Sequence, residues 1–413
     1  MSGKKRLVSY GNEAVALYLM HLISCALKGV KADEKPSDVD FDELFSLACK
    51  NSVEAAAAYG MDTLDNKPPS ELYDKWMHRL DLSVYHEMGF AEERELLFSR
   101  LSELKISHMP LKGLRFAELY PMPGMRFMSD MDVLFGYTEE KSDGKYGFAG
   151  KDAEQRAQLS EKAKDAADAL MKDMGYTFNT GDETELSYVK KPYYHIEMHR
   201  LITNEESHFD YYDDPFLMAR RSADSPYRFE FTPEDEYVYY IAHTYKHFVG
   251  GGCGVRCLAD IYVFLERHGA EMDRAYVDGE LKKLGAFELA KSLEALSYAL
   301  FSENGALMDS DKELLLRLLY SGTYGNAFVR IDNKIEKKIN REGVSPARAR
   351  AGYIFRRIFP SFEEIKDYRP LVYKFKILYP FYVIFRLIVK PFTSFKFIKE
   401  ELKIVFRKKE KKK

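Results

Sequence analysis

The chain has 413 residues, 46% of them hydrophobic and 31% charged, with four cysteines and a net charge of −3. That length supports a sizeable buried core in two or three domains, the near-neutral charge gives no global attraction to nucleic acid, and Cys25, Cys49, Cys253 and Cys257 are too few for a disulfide framework. The opening stretch from Met1 to Leu17 lacks the pattern of a secretory leader, so the cytoplasm is the expected compartment.

Residues 12–104 carry apolar positions at helical spacing, interrupted by Pro, Gly, Asp and Asn clusters, and predict a packed helical region. The pattern changes at Ile106–Leu111, which is short and apolar as a strand would be. Gly113 then opens a short helix that the Pro121–Gly124 turn ends. Residues 126–135, RFMSDMDVLF, follow as a second strand. Residues 139–150 read as a polar, glycine-rich loop, and 151–175 as a surface helix closed by Gly175. The segments ELSYVKK and YYHIEMHRLI, split by Pro192, read as neighbouring strands. This succession predicts a compact unit with helices packed against a mixed sheet. Helices resume at Thr232, a suitable N-cap with Pro233 at the first helical position and acids in the first turn. They continue through Cys257–Arg267, Met272–Phe301 and Lys312–Tyr320.

The chemistry concentrates on two of these strands. Side chains at i and i+2 of a strand share a face, so Asp130 and Asp132 leave on one side while Met131 and Val133 leave on the other. Two carboxylates that close repel one another and are costly to desolvate, and a divalent cation removes that cost. His195, Glu197 and His199 share a face in the same way. If the two strands are neighbours, Glu197 supplies a third carboxylate, a donor set suited to Mg²⁺ with water and phosphate oxygens completing the coordination. Exposed acids on a strand edge are the alternative reading.

The stretch KGLRFAELYPMPGMRFMSDMDVLF, residues 112–135, resembles the signature of the DNA polymerase beta-like nucleotidyltransferase superfamily, and more narrowly its branch of uncharacterised bacterial nucleotidyltransferases. Lys112, Gly113, Tyr120, Pro121, Arg126, Asp130 and Asp132 stand at the places of that signature. The likeness continues at Glu197 and His199, at residues 232–247 with Arg256 and Asp260 downstream, and weakly to about residue 390. Where the wider superfamily has Gly-Ser or Gly-Gly ahead of its aspartates, this chain has Lys112-Gly113-Leu114. The resemblance implies an α+β fold: a polymerase beta-like core with a small mixed sheet over 105–231, an N-terminal helical region over 1–104, a helical domain over 232–350 and a basic amphipathic region over 351–413. It implies a metal-dependent transfer of a nucleoside monophosphate from an NTP, ATP among the candidates, to a hydroxyl on a small-molecule or protein acceptor, with release of pyrophosphate. Asp130, Asp132 and Glu197 would hold Mg²⁺, with Mn²⁺ as the alternative ion. Lys112, Gly113, Arg126 and His199 would meet the nucleotide: the Gly113 N–H and the two cations at phosphate oxygens, His199 by orienting Glu197 or touching nucleotide. A salt bridge to the aspartates is the plain alternative for Lys112 and Arg126, and His195 reads as structural.

Three further readings belong to the sequence. His243, His247, Cys253 and Cys257 are ligand types suited to zinc, but the C-x₃-C spacing and a resemblance that supplies the histidines without the cysteines favour helix packing or acceptor lining. From Val372 onward thirteen Lys or Arg face three Glu, a net of +10, so the rest of the chain sums to −13. The tract Ile377–Phe392, broken by Pro380 and Arg386, falls short of the roughly 20 apolar residues of a spanning helix. A basic amphipathic segment on the inner face of the membrane is therefore expected, with a packed terminal helix or an RNA-binding arm as alternatives. A catalytically degenerate nucleotide-binding scaffold and an RNA end-modifying enzyme are the rival functions. Retention of all three carboxylates speaks against the first, and the −13 ahead of Val372 against the second.

Overall fold

The computed structural model describes residues 12–142, 144–202, 213–303, 305–366 and 369–406; the first residues of the opening segment and the last lysine-rich run, 407–413, lie outside them. Helices Glu13–Lys28, Phe41–Lys50, Glu54–Asp62 and Ser70–Glu103 fill the N-terminal part. Asn12 and Asp40 cap the first two by accepting from backbone N–H groups inside the first turn, at 3.1 and 2.9 Å, which satisfies donors that helix geometry leaves unpaired. A Cβ on Gly60 would lie 2.2 Å from the Leu22 carbonyl oxygen. The first and third helices meet backbone to backbone there, and any side chain would drive them apart.

Nine short strands follow among the described residues: β1 (Ser107–Pro110), β2 (Met131–Gly136), β3 (Thr138–Glu140), β4 (Tyr146–Phe148), β5 (Thr177–Gly181), β6 (Glu185–Lys190), β7 (Tyr194–His199), β8 (Ala219–Arg221) and β9 (Phe229–Phe231). Five make one mixed sheet in the order β1-β2-β7-β6-β5. β2 and β7 run parallel, with Asp132 opposite Glu197 and Val133 opposite Met198, and the remaining pairs are antiparallel. The period-2 alternation sorts the faces as expected. Met131, Val133, Phe135, Ile196 and Met198 enter one core with Phe90 and Leu97 of helix Ser70–Glu103 and with Ala163, Ala167 and Leu170 of helix Ala153–Asp173. The fold is α+β, a small mixed sheet with helical flanks.

Two local expectations are corrected. Residues 139–150 are not a plain loop, because Thr138–Glu140 pairs with Tyr146–Phe148 as a hairpin, with Lys141 N–H donating to Lys145 O at 2.7 Å across the turn. The helical run from Met272 to Phe301 is two helices, Arg274–Lys283 and Phe287–Phe301, separated where Gly285 takes φ +66°.

The chain divides into two compact units, residues 1–245 with 254–323, and 246–253 with 324–413. The first contains the whole sheet. The second is built from helices that include Ala327–Glu342, Pro346–Ile358, Tyr379–Thr393 and Phe395–Val405, around a small core of Ile331, Ile335, Ala349 and Val405. Among the described residues no helix is long and apolar enough to cross a membrane.

Candidate active site

The face of β2 and β7 opposite the core carries the acids. Asp130 immediately precedes β2, Asp132 lies within it, and the parallel register sets Glu197 beside Asp132. Asp130, His195 and Glu197 each offer a ligand atom within 4.8 Å of the others, and so do Asp132, Glu197 and His199. Glu197 belongs to both groups. The three carboxylates expected together are thus distributed over two adjoining donor sets, each completed by a histidine. His243, His247, Cys253 and Cys257 are in neither group, and these are the metal-capable groups among the described residues.

The three acids differ in what neutralises them. Asp132 is buried, and its Oδ1 accepts from Lys112 Nζ at 2.9 Å and from His199 Nε2 at 2.9 Å. Burial opposes its charge, but the Lys112 ammonium and the His199 hydrogen bond outweigh it and hold Asp132 well below the usual carboxylate range. Burial and the neighbouring Asp132 charge push Asp130 up. Burial, then Asp132 and Asp130, push Glu197 up to about 8. Carboxylates that repel one another on adjacent strands are the electrostatic condition that a divalent ion relieves, so the donor set fits such an ion.

Lys112 reaches Asp132 from an unusual backbone. It sits at φ 45°, ψ −112°, a region that costs a side-chain-bearing residue on the order of 1–3 kcal/mol and recurs at functional sites. This conformation turns the chain from β1 into the short helix Gly113–Ala117. A Cβ on Gly113 would lie 2.8 Å from Arg126 Nη1, so a side chain there would have to displace the Arg126 guanidinium.

Arg126 does not point at the aspartate strand. It is buried and donates to both oxygens of Asp260, from Nε at 2.7 Å and Nη2 at 3.1 Å, while Nη1 reaches the Gly113 carbonyl at 3.4 Å. Tyr120 and Tyr240 hydroxyls also donate to Asp260, at 2.8 and 2.7 Å. Burial disfavours the Asp260 charge, and Arg126 restores it, leaving the carboxyl below its ordinary range. This network ties helix Arg256–His268 to the Gly113 turn. His199 bonds Asp132 rather than Glu197, from which it stands 3.9 Å away. His195, read as structural, shares the first donor group and pairs with Ser187 Oγ at 2.8 Å.

Sequence reasoning named Arg256 in the family likeness without giving it a part in the site, and did not single out Tyr239. Arg256 Nη1 donates to the Phe127 carbonyl at 2.9 Å, and its charge is near enough to pull Asp130 downward against burial. Tyr239 is pushed up to about 12, by burial first, in a field that includes Lys112, Asp132, Glu185 and Glu197. Both residues lie more than 100 positions from Asp130, and no local periodicity announces such a neighbourhood.

A family model described as uncharacterised nucleotidyltransferase matches residues 37–139 and 159–301, more than half of the chain. No curated protein and no solved structure matches.

Proposed function

This chain belongs to the uncharacterised nucleotidyltransferase family, and we propose that it moves a nucleoside monophosphate from an NTP to a hydroxyl of a small-molecule or protein acceptor, releasing pyrophosphate. The observation that carries the proposal is the parallel register that sets Asp132 beside Glu197 with Asp130 at the strand mouth. In this reading Asp130, Asp132 and Glu197 would hold Mg²⁺. The bound ion would neutralise phosphate oxygens and lower the pKa of the acceptor hydroxyl.

The protein's own residues have separable tasks. Lys112 and His199 keep Asp132 ionised and fixed in direction. Arg126, through Asp260, keeps the Gly113 turn in place beside the strand. Arg256, next to Asp130, takes the part expected of Arg126 and meets the triphosphate. During transfer the acceptor oxygen forms a bond to the α-phosphorus as the bond from that phosphorus to the bridging oxygen breaks. Pyrophosphate carries off the electron pair, and the hydroxyl proton passes to the carboxylate cluster or to water.

The test is incubation of the purified chain with α-labelled NTPs, Mg²⁺ and a cell extract, followed by mass analysis of the labelled product. Asp132→Asn preserves side-chain shape while removing one charge, and labelling should fall at least ~100-fold, or about 2.7 kcal/mol of transition-state stabilisation. Asp130→Asn and Glu197→Gln should behave similarly. Arg256→Ala should raise the NTP concentration needed for half-maximal labelling. Full labelling in all three carboxylate variants would reject this active site, and an unchanged NTP dependence in Arg256→Ala would reject the role given to Arg256.

A further inference from the structure

More than half of the large apolar side chains that stand exposed among the described residues lie from Phe355 onward. They are most ordered on helix Tyr379–Thr393, where Phe381, Ile384, Phe385, Ile388 and Phe392 recur at i, i+3, i+4, i+7 and i+11, with exposures of 53–85%. That spacing draws one stripe along the helix. An ordinary surface helix turns such a stripe into its core. Here Val383, 6% exposed, turns inward, and the phenylalanine stripe faces out. Just before it Phe375, Ile377 and Leu378 are exposed beside the exposed Lys374 and Lys376. Contiguous apolar surface of this kind marks a place of attachment.

Charge selects what attaches. Lys374 and Lys376 stand exposed beside the stripe, in a segment whose sequence is net +10 from Val372 onward, so a second copy applied here would bring like charge against like charge. A surface of anionic lipid headgroups accepts both the apolar stripe and the lysines. The helix has 15 residues, about 22 Å at 1.5 Å per residue, against a hydrocarbon core of roughly 30 Å. It fits in the plane of a membrane interface and does not cross.

We infer that the second unit docks the protein on an anionic bilayer surface, with Phe381, Phe385 and Phe392 at the acyl boundary and Lys374 and Lys376 among headgroup phosphates. This inference does not depend on the nucleotidyl-transfer reading.

Co-sedimentation of the full chain with lipid vesicles, in the absence of nucleotide, tests it. Vesicles of phosphatidylcholine with phosphatidylglycerol should bind the protein at least ~10-fold more tightly than phosphatidylcholine alone, with the difference shrinking as salt rises. The double variant Phe385→Asp, Phe392→Asp should lose at least ~10-fold of that binding. Because both side chains are 53% or more exposed, its thermal midpoint should stay at the wild-type value. Absence of binding to either vesicle, or equal binding by the variant, overturns the inference. So does a concentration-dependent dimer in vesicle-free solution that the variant abolishes, since the stripe would then be covered by a second copy.

Discussion

Glu197→Gln should make the metal-free protein more stable while removing its activity. The carboxyl of Glu197 is pushed from an ordinary 4.5 to about 8 by burial and by Asp132 and Asp130. An acid whose folded pKa is raised contributes nothing below 4.5, where it is protonated in both states. Between 4.5 and 8 the unfolded chain releases a proton that the folded chain keeps, so stability falls with rising pH and levels off above 8. Each pH unit in that interval costs about 1.4 kcal/mol, so the penalty at pH 7 is on the order of 3 kcal/mol. Glutamine keeps the shape and has no proton to hold. Urea unfolding of both proteins in chelator at pH 4, 5.5, 7 and 8 reads this directly: the curves should coincide near pH 4 and diverge upward, with the variant the more stable. Added Mg²⁺ should then narrow the gap by raising the wild type, by about 2.7 kcal/mol at a concentration 100 times its dissociation constant. A variant no more stable than wild type at pH 7 and 8, with no growth of the difference across the interval, would refute the electrostatic account of Glu197.

Arg126→Met should cost about 3–5 kcal/mol of stability, because it leaves the buried Asp260 carboxylate without its cation, and Arg126→Lys should recover part of that but not the two-oxygen geometry. Urea unfolding measures both. An Arg126→Lys protein of unchanged stability that has lost labelling would show that Arg126 meets substrate, contrary to the positioning part given to it. In calorimetry a non-hydrolysable NTP analogue should bind at least ~10-fold more weakly in chelator than in Mg²⁺, since Lys112 and Arg126 are already paired with Asp132 and Asp260 and the remaining acids repel a free triphosphate. Equal affinity in the two buffers would contradict the metal-holding role of the carboxylates.

What the sequence discloses is what local periodicity encodes. The alternation in RFMSDMDVLF put Met131 and Val133 in the core and the two aspartates opposite, and the Thr232 cap, whose Oγ1 accepts from Asp235 N–H at 3.3 Å, marked the start of helix Pro233–Gly250. The adjacency of β2 and β7 has no local signature. It came from resemblance, and the register that sets Asp132 beside Glu197 is a tertiary fact. Arg126 illustrates the limit. A guanidinium four residues before a candidate metal ligand reads naturally as a phosphate contact, but its partner is Asp260, 134 positions away, and the turn at Gly113 that it supports leaves it facing away from the acids. The hairpin β3–β4 escaped for a related reason: three-residue strands in a glycine-containing polar stretch carry too few alternations to stand out from a loop.

The arrangement of charge argues for function independently of any resemblance. Acid opposite acid on paired strands is destabilising, and the fold had inexpensive ways to avoid it. Lys112 and His199 are both spent on Asp132, the acid that was most buried. Arg126 is spent on Asp260. Burial and mutual repulsion still push Asp130 and Glu197 up against the opposing charges of Lys112 and, at Asp130, Arg256, and the apolar face of the same two strands supplies the stabilisation that tolerates it, with Met131, Val133, Ile196 and Met198 fully buried. A structural role would place the cations where the repulsion is greatest. Here they fix the direction of one carboxylate and brace one turn, and the deficit is kept at the mouth of the strand, where a cation arriving with its nucleotide would meet it.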